Sequence, residues 1–313
     1  MAAHFTAKLI NSVELSPRQI LPCLLSVIFI ALVFAYQNDL YFHYQPLQIK
    51  ELPRELTVKP HFMQLDVVLT FPLLTDPTVH KTSSYSPFSI KQLEARLSEY
   101  ITGLQRTLDH RYVSKVHFLY DQSPIIKFIR TQIKNNLDKL VFHEVSKPRQ
   151  TNKIYEFVFS NLSGRVVMVT QADVYPGHGL DLIKKDVMIS KKLMYALTRH
   201  GQLEENCDMR LRRQKSNSCS RRGYIGSHDS YVFVPEGTLL PAASVSLNHS
   251  ANNLGIDNII IWTFQTILKY RVLNPCKVIF VYHLHCTELR NRDRKRVNGK
   301  HNKGLSRPTD KLF

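Results

Sequence analysis

The sequence is poor in acidic residues, and it lacks both a nucleic-acid-binding module and the closely spaced cysteines of a zinc knuckle. It has 25 Asp and Glu against 42 Lys and Arg, a formal net charge of +17. On charge alone, this excess indicates nucleic acid, anionic lipid or an anionic small molecule as a partner. No recognisable nucleic-acid-binding module is present, so we expect no nucleic-acid partner. A hydrophobic fraction of 43% with 10% aromatic residues excludes a mainly disordered chain.

Charge is also missing from one run near the N-terminus. The 17 residues 20–36, ILPCLLSVIFIALVFAY, contain no charged side chain and no polar stripe at helical spacing. This length is at the short end of what a helix needs to span a bilayer. We interpret the run as a transmembrane signal anchor, with a cleaved signal peptide as the alternative. The chain would then divide into a cytoplasmic tail (1–19), the anchor (20–36), a stem (37–62), a lumenal domain (63–290) and a basic flexible tail (291–313).

Closely spaced cysteines are absent as well, which argues against a zinc knuckle. The cysteines outside the predicted anchor are Cys207, Cys219, Cys276 and Cys286. Four cysteines allow three disulfide connectivities, and loop closure favours the near pairs Cys207–Cys219 and Cys276–Cys286. Two N-glycosylation triplets, at positions 161–163 and 248–250, agree with a lumenal domain.

The segment 65–170 alternates short apolar runs with stretches of helical spacing. Runs typical of buried strands are Leu65–Phe71, Val113–Tyr120, Lys139–Val145 and Arg165–Thr170. The stretches with helical spacing are Ser89–Leu108, Pro124–Leu137 and Thr151–Ser160. This order predicts an α/β fold with a mostly parallel sheet and helices on both faces. Ligands bind outside the carboxyl ends of the strands in such sheets, so we expect the chemistry directly after Thr170.

Polar motifs follow that point along the chain. They are QADVY (171–175), ALTR (196–199), SHDSYVF (227–233), GIDN (255–258), NP (274–275) and HLH (283–285), the last of which ends a predicted strand over 277–282. A carboxylate such as Asp173 at a sheet edge is well placed to hold a divalent cation against a diphosphate. Capping of the turn at Pro176-Gly177 is the alternative for Asp173. The helix that follows GIDN offers an anion site at its N-terminus.

In this order, the motifs resemble those of the GT-A-type nucleotide-sugar glycosyltransferases, in particular a broad and poorly characterised branch. The resemblance covers roughly residues 64–293. It implies a GT-A-like (Rossmann-like) fold and transfer of a sugar from a nucleotide-sugar donor to a glycan, protein or lipid acceptor. Together with the predicted anchor, it implies a glycosylated, disulfide-containing type II membrane protein of the Golgi or endoplasmic reticulum.

The same resemblance implies a role for each candidate residue. Asp173, with His283 or His285, would bind a divalent metal, Mn²⁺ or Mg²⁺, and the donor diphosphate. Asp257 would be the catalytic base on the acceptor hydroxyl, if the enzyme inverts configuration. The side chains implied to contact donor or acceptor are Thr70, Phe71, Arg199 and Asp229, the first two near the nucleotide base.

The chain departs from the family pattern after Asp173. A second acid usually follows within a few residues, but positions 175 and 177 are Tyr and Gly, and the next acid is Asp181. A catalytically silent protein that binds a nucleotide sugar or a glycan is therefore the alternative function. The basic segment 199–222, which carries seven Lys and Arg against three Asp and Glu, is predicted to border the site and favour an anionic ligand.

Overall fold

The structure is a computed structural model that describes residues 63–82, 87–200, 219, 228–287, 289, 296–297 and 304–313. The strands among these residues are β1 Leu65–Leu69, β2 Val113–Tyr120, β3 Leu140–Glu144, β4 Val166–Thr170, β5 Val174–Pro176, β6 Leu193–Leu197, β7 Ser230–Phe233, β8 Arg271–Leu273 and β9 Val281–His283. The α-helices among them are α1 Pro77–Thr82, α2 Ile90–Asp109, α3 Pro124–Gln132, α4 Thr151–Asn161, α5 Lys185–Ser190, α6 Pro241–Ser246 and α7 Ile256–Thr266.

Seven of the strands form one sheet in the order β3-β2-β1-β4-β7-β6-β8. Strands β1 to β4 are parallel to one another and β8 is parallel to β6, whereas β7 runs antiparallel to β4 and to β6. The first four strands follow the 3-2-1-4 order of a Rossmann-like sheet, and that order reverses between β1 and β4. The prediction of an α/β fold with a mostly parallel sheet is confirmed.

Each face of this sheet has its own hydrophobic core, because successive side chains of a strand point to opposite faces. On one face, Val67 of β1 belongs to a cluster with Leu97 and Leu104 of α2. On the other face, Val68 belongs to a cluster with Tyr155 of α4 and Phe264 of α7. Helices therefore cover both faces, as predicted.

The long helix α2 shows how local sequence sets an element that carries part of the site. Ser89 accepts a hydrogen bond from the backbone N–H of Gln92, whose side chain accepts one from the backbone N–H of Ser89. This reciprocal capping satisfies two donors that a helix start leaves unpaired. The leucines of α2 recur at helical spacing, which buries one side of the helix against the sheet.

Two later elements differ from what the sequence predicts. The sequence places a helix after the GIDN motif, but α7 already begins directly after Gly255, whose φ of +85° suits glycine. Asp257 therefore lies in the first turn of α7. The strand predicted over 277–282 is reduced to β9, which pairs with β5 in a separate two-stranded sheet. In that pairing His283 is part of the strand and lies opposite Val174.

The cysteine pairing predicted from loop closure is wrong. A disulfide joins Cys219 to Cys276 across 57 residues, so neither Cys219 nor Cys276 pairs with its near neighbour. A doubling of loop length costs only about 0.6 kcal/mol, and tertiary contacts outweigh so small a preference. The ring of His200, just after β6, hydrogen-bonds the carbonyl oxygen of Cys276 at 2.6 Å. The segment that holds Cys276 is therefore also fixed to the end of β6. Cys207 lies outside the described residues.

Over residues 304–313, the C-terminal segment contacts the rest of the domain through hydrogen bonds; the flexible tail over 291–313 stays a prediction. The backbone N–H of Gly304 donates to the carbonyl oxygen of Asn258 at 2.9 Å, and the Asn258 side chain donates back to the Gly304 carbonyl at 3.0 Å. The Tyr195 hydroxyl donates to the carbonyl oxygen of Leu312 at 3.0 Å. The segment therefore braces the first turn of α7, next to Asp257.

The predicted cytoplasmic tail, anchor and stem all lie outside the described residues, as does most of the basic segment 199–222. Within the part of the chain that the structure describes, no helix has both the length and the apolar character needed to cross a membrane. The anchor stays a prediction.

Candidate functional site

A cleft of about 540 Å³ opens at the carboxyl edge of the sheet, where β1 and β4 end side by side. The strand order reverses at this point, and ligands of Rossmann-like sheets bind there. The cleft brings together all eight side chains that the sequence singled out: Thr70, Phe71, Asp173, Arg199, Asp229, Asp257, His283 and His285. Their individual roles stay predictions, but the convergence of eight residues from distant parts of the chain on one cleft is a property of the fold.

Asp173 lies at the centre of a buried cluster with two histidines. The His283 Nε2 lies 3.0 Å from Asp173 Oδ2, and the His285 Nδ1 lies 3.8 Å from the same oxygen. The pairing of β5 with β9 produces this arrangement, because it sets Val174 opposite His283. The backbone N–H of Leu284 also donates to the carbonyl oxygen of Asp173 at 2.7 Å. Two segments more than 100 residues apart therefore meet at one carboxylate.

Arg96 on α2 is a member of this cluster that the sequence analysis missed. It is 5% exposed, and its guanidinium pairs with Asp173 Oδ2 and with Glu99. Glu99 in turn accepts hydrogen bonds from the backbone N–H groups of Cys286 and Thr287, both at 2.6 Å. The signal was present in the sequence: Arg96 and Glu99 lie on the leucine-bearing side of an amphipathic helix, where charged residues are uncommon unless paired.

The surroundings of Asp173 stabilise its charged form. Burial by itself would raise the pKa of the Asp173 carboxyl, but the positive charges of His283 and Arg96, the hydrogen bond from His283 and the charge of His285 outweigh burial and hold the pKa well below its ordinary value. Asp173 is therefore a carboxylate at every physiological pH. Turn capping, the alternative role for this residue, does not explain its two histidine neighbours and its arginine.

The donor set of the cluster fits a divalent cation. The ligand atoms of Asp173, His283 and His285 all lie within 4.8 Å of one another, so small side-chain shifts would bring them to the usual distance of about 2.1 Å from one ion. Two imidazoles and one carboxylate suit Mn²⁺ or Zn²⁺ better than Mg²⁺, which prefers oxygen ligands. Arg96 opposes such an ion, since it already neutralises Asp173. The next acid, Asp181, is exposed on a turn and does not line the cleft.

Arg199 connects this cluster to the far side of the cleft. Its guanidinium donates to Asp229 Oδ1 at 3.1 Å and lies 3.4 Å from His283 Nε2. The Arg199 backbone N–H donates to Asp229 Oδ2 at 3.3 Å. Arg199 follows β6 and Asp229 precedes β7, and these antiparallel strands pair directly. Asp229 is 2% exposed, so its charge is balanced within the protein by Arg199.

Asp257 completes the line of polar groups. Its Oδ1 accepts a hydrogen bond of 3.1 Å from the hydroxyl of Tyr231, which the sequence analysis did not single out. Burial, followed by the neighbouring Asp229 carboxylate, raises the pKa of Asp257 to about 7, although Tyr231 and Arg199 act in the opposite direction. A carboxyl group of this pKa exchanges protons near neutral pH, as a general base must.

Thr70 and Phe71 border the cleft at the end of β1. Phe71 is 4% exposed, and its ring packs edge-to-face on Phe118, with centroids 4.9 Å apart. Tyr100 of α2 lies 5.2 Å from Phe71 and lines the cleft beside it. The apolar wall at this end is therefore an extension of the hydrophobic core.

Distant structural likenesses connect this chain to known proteins. UDP-glucose pyrophosphorylase in complex with UDP-glucose is 9% identical, with a TM-score of 0.35 over 71% of this chain and 90% of that chain. The 4-diphosphocytidyl-2C-methyl-D-erythritol synthase of Anaerococcus prevotii is 11% identical, with a TM-score of 0.34 over 68% and 87%. No family model and no curated protein matches the chain. Likeness at this level carries no inference about activity.

Proposed function

We propose that this protein transfers a sugar from a nucleotide-sugar donor to a hydroxyl group of a glycan, protein or lipid acceptor. One observation carries the proposal. A single cleft joins a cation-rich cluster to a buried carboxyl group with a pKa of about 7. Contacts run from Asp173 through His283 and Arg199 to Asp229, and the Asp229 carboxylate acts electrostatically on Asp257. Transfer of a sugar from a diphosphate to an alcohol requires those two ends, one for the leaving group and one for the nucleophile.

The cation-rich end suits a diphosphate. Arg96 and Arg199 bring two guanidinium groups to the cleft, and arginine binds phosphate oxygens with paired N–H donors. The cluster of Asp173, His283 and His285 would hold a divalent cation, which would supply charge neutralisation for the leaving diphosphate. The histidines at this edge would also donate hydrogen bonds to phosphate oxygens.

The carboxyl end suits proton removal from an acceptor. In its ionised form, Asp257 would accept the proton of the acceptor hydroxyl while that oxygen forms the new glycosidic bond and the bond to the diphosphate breaks. Tyr231 holds the Asp257 carboxyl in place. A base with a pKa close to the working pH is both ionised and strong enough to act. This role assumes inversion of configuration at the transferred sugar.

A catalytically silent binding protein is the second candidate, and one observation favours it. Asp173 is the carboxylate of the cluster, and Arg96 is ion-paired to it, so a cation must compete with a guanidinium for its anionic ligand. A protein of this kind would hold a nucleotide sugar without breaking it.

The test uses the purified full chain with a panel of nucleotide sugars and Mn²⁺. Release of nucleoside diphosphate is followed together with donor binding. We expect turnover that Asp257→Asn reduces at least 100-fold with donor binding retained. Asp181→Asn, at the exposed turn outside the cleft, is the matched control and should behave as wild type. If the wild type binds a donor without turning it over, the result favours the catalytically silent binding protein instead.

A lumenal location is part of the proposal. The Cys219–Cys276 disulfide is typical of oxidising compartments, and both predicted glycosylation sites, Asn161 and Asn248, are exposed. Removal of N-glycans from the protein made in secretory cells should increase its electrophoretic mobility. Variants Asn161→Gln and Asn248→Gln should each lose part of that shift, and a wild-type protein without any glycan would contradict the location.

A further inference from the structure

Two hydroxyl groups of helix α4 are buried against the cleft without a hydrogen-bond partner among the described residues. They belong to Thr151, which is 2% exposed, and to Tyr155, which is 1% exposed. Residues four apart in a helix lie on the same side of it, and both side chains line the cleft. Neither hydroxyl has a role in the transfer reaction proposed above.

The Tyr155 ring is held by the core, so its hydroxyl has a defined position. Its ring centroid lies 6.0 Å from that of Phe233 and 5.3 Å from that of Phe264. Burial, and after it the charge of Asp257, raises the pKa of the Tyr155 hydroxyl well above its ordinary value, so the hydroxyl stays protonated. The protonated hydroxyl can both donate and accept a hydrogen bond, and Tyr155 and Asp257 line the same cleft.

A buried hydroxyl without a partner is unfavourable, since it has given up its hydrogen bonds to water. Two such groups in one wall fit a ligand that both donates and accepts hydrogen bonds. Asn252 and Asn253 also line the cleft. Arg149 and Arg296 line the cleft as well, so charge alone does not reserve this wall for a neutral ligand, and it is the pair of unpartnered hydroxyls that fits a sugar.

We propose that Thr151 and Tyr155 form a binding site for the hydroxyl groups of a sugar, beside Asp257 and distinct from the diphosphate end. This site deepens the proposed function and rests on it. The sugar is either the one carried by the nucleotide donor or the acceptor saccharide, since both present the same vicinal hydroxyl groups.

The first arm of the test measures melting temperatures of the full chain. Tyr155→Phe removes an unpaired hydroxyl and keeps the ring, so the melting temperature should stay the same or rise. The matched control is Tyr270→Phe in the same core, which removes a 2.7 Å hydrogen bond to the Val234 carbonyl. The control should lower the melting temperature by about 2–8 °C. An equal loss in both variants would overturn the proposal, because it would show that the Tyr155 hydroxyl is paired inside the protein.

The second arm measures binding of UDP, UDP-glucose, GDP, GDP-mannose and simple methyl glycosides. If the site takes the donor sugar, Tyr155→Phe and Thr151→Val should weaken a nucleotide sugar about three- to tenfold and leave the matching nucleotide unchanged. If the site takes the acceptor, the same variants should weaken the methyl glycosides and leave both members of each nucleotide pair unchanged.

Sugar binding that is equal in wild type, Tyr155→Phe and Tyr270→Phe would overturn the proposal. The outcome for the proposed function is separate. If no nucleotide binds to the wild type while methyl glycosides bind in a manner that depends on Tyr155, sugar transfer from a nucleotide fails and the hydroxyl-binding site stands.

Discussion

Replacement of Arg96 by methionine tests whether the Asp173 cluster is built for a cation. The Arg96 guanidinium pairs with Asp173 Oδ2, the same oxygen that lies closest to His283. A divalent cation on that oxygen would meet the arginine at short range. Methionine keeps much of the length and apolar volume of the side chain and removes the positive charge together with the guanidinium hydrogen bonds to Asp173 and Glu99. We therefore expect Arg96→Met to bind Mn²⁺ more tightly than wild type.

The size of the effect follows from the charges. Two unit charges 4 Å apart interact by about 4 kcal/mol at the effective dielectric constant of about 20 that suits protein sites. Only part of this repulsion would act on the cation, because the Arg96 guanidinium also pairs with Glu99 and would shift towards that partner. We expect a gain of about 1.4 to 3 kcal/mol, which is a gain in Mn²⁺ affinity of about 10- to 100-fold.

The same replacement should destabilise the metal-free protein. Loss of one partner of a buried ion pair costs about 3–5 kcal/mol, and Asp173 would keep only its histidines. Added Mn²⁺ should restore much of the lost melting temperature in Arg96→Met, because a ligand that binds only the folded state stabilises it.

Electron paramagnetic resonance of free Mn²⁺ measures the affinity directly, and a thermal melt with and without Mn²⁺ measures the compensation. Arg106→Met is the matched control, since Arg106 lies on the same helix and donates to the Tyr175 hydroxyl at 2.6 Å, outside the cleft. The control should leave Mn²⁺ affinity unchanged. Equal or weaker Mn²⁺ binding by folded Arg96→Met would refute the electrostatic argument and leave Arg96 as the permanent partner of Asp173.

Three further predictions concern stability. The pKa of Asp257 rises from 3.8 to about 7 on folding, so the folded protein holds an extra proton between those values and its stability should fall as pH rises through that window. Asp257→Asn should flatten this decline in melting temperature, and an unchanged pH profile would contradict the raised pKa. Reduction of Cys219–Cys276, which closes a loop of 57 residues, should lower the unfolding free energy by about 4 kcal/mol in a urea titration, and an unshifted midpoint would exclude this. Gly304→Ala would put a Cβ 2.2 Å from the Trp262 backbone nitrogen, so it should lower both the melting temperature and the rate of nucleoside diphosphate release. If both quantities stay at their wild-type values, residues 304–313 do not brace α7.

Local patterns were sufficient for much of the fold and for the list of candidate residues. The β2 strand was predicted with its observed ends, and α2 to within one residue, because short apolar runs and helical spacing are properties of neighbouring residues. Asp173 was singled out because it follows a strand that is buried on both faces. Such assignments need no knowledge of distant parts of the chain.

Arg96 shows the limit of that approach. Its spacing on α2 indicates a buried position, but only the pairing of β5 with β9 and the packing of α2 beneath them reveal that its partner is Asp173, 77 residues away. The disulfide was wrongly predicted for a similar reason, since loop closure is a weak preference that contacts around Cys276 easily override.

By itself, the sequence determined the alternation of strands and helices, the parallel sheet and which polar residues come at strand ends, since each depends on periodicity over a few residues. The tertiary structure decided what those residues face. It buried Asp257 beside Asp229 and so raised its pKa to about 7, and it packed residues 304–313 against α7. It also left the Thr151 and Tyr155 hydroxyls at the wall of a cleft without partners among the described residues. Burial and charge depend on distance in space, which sequence order does not contain.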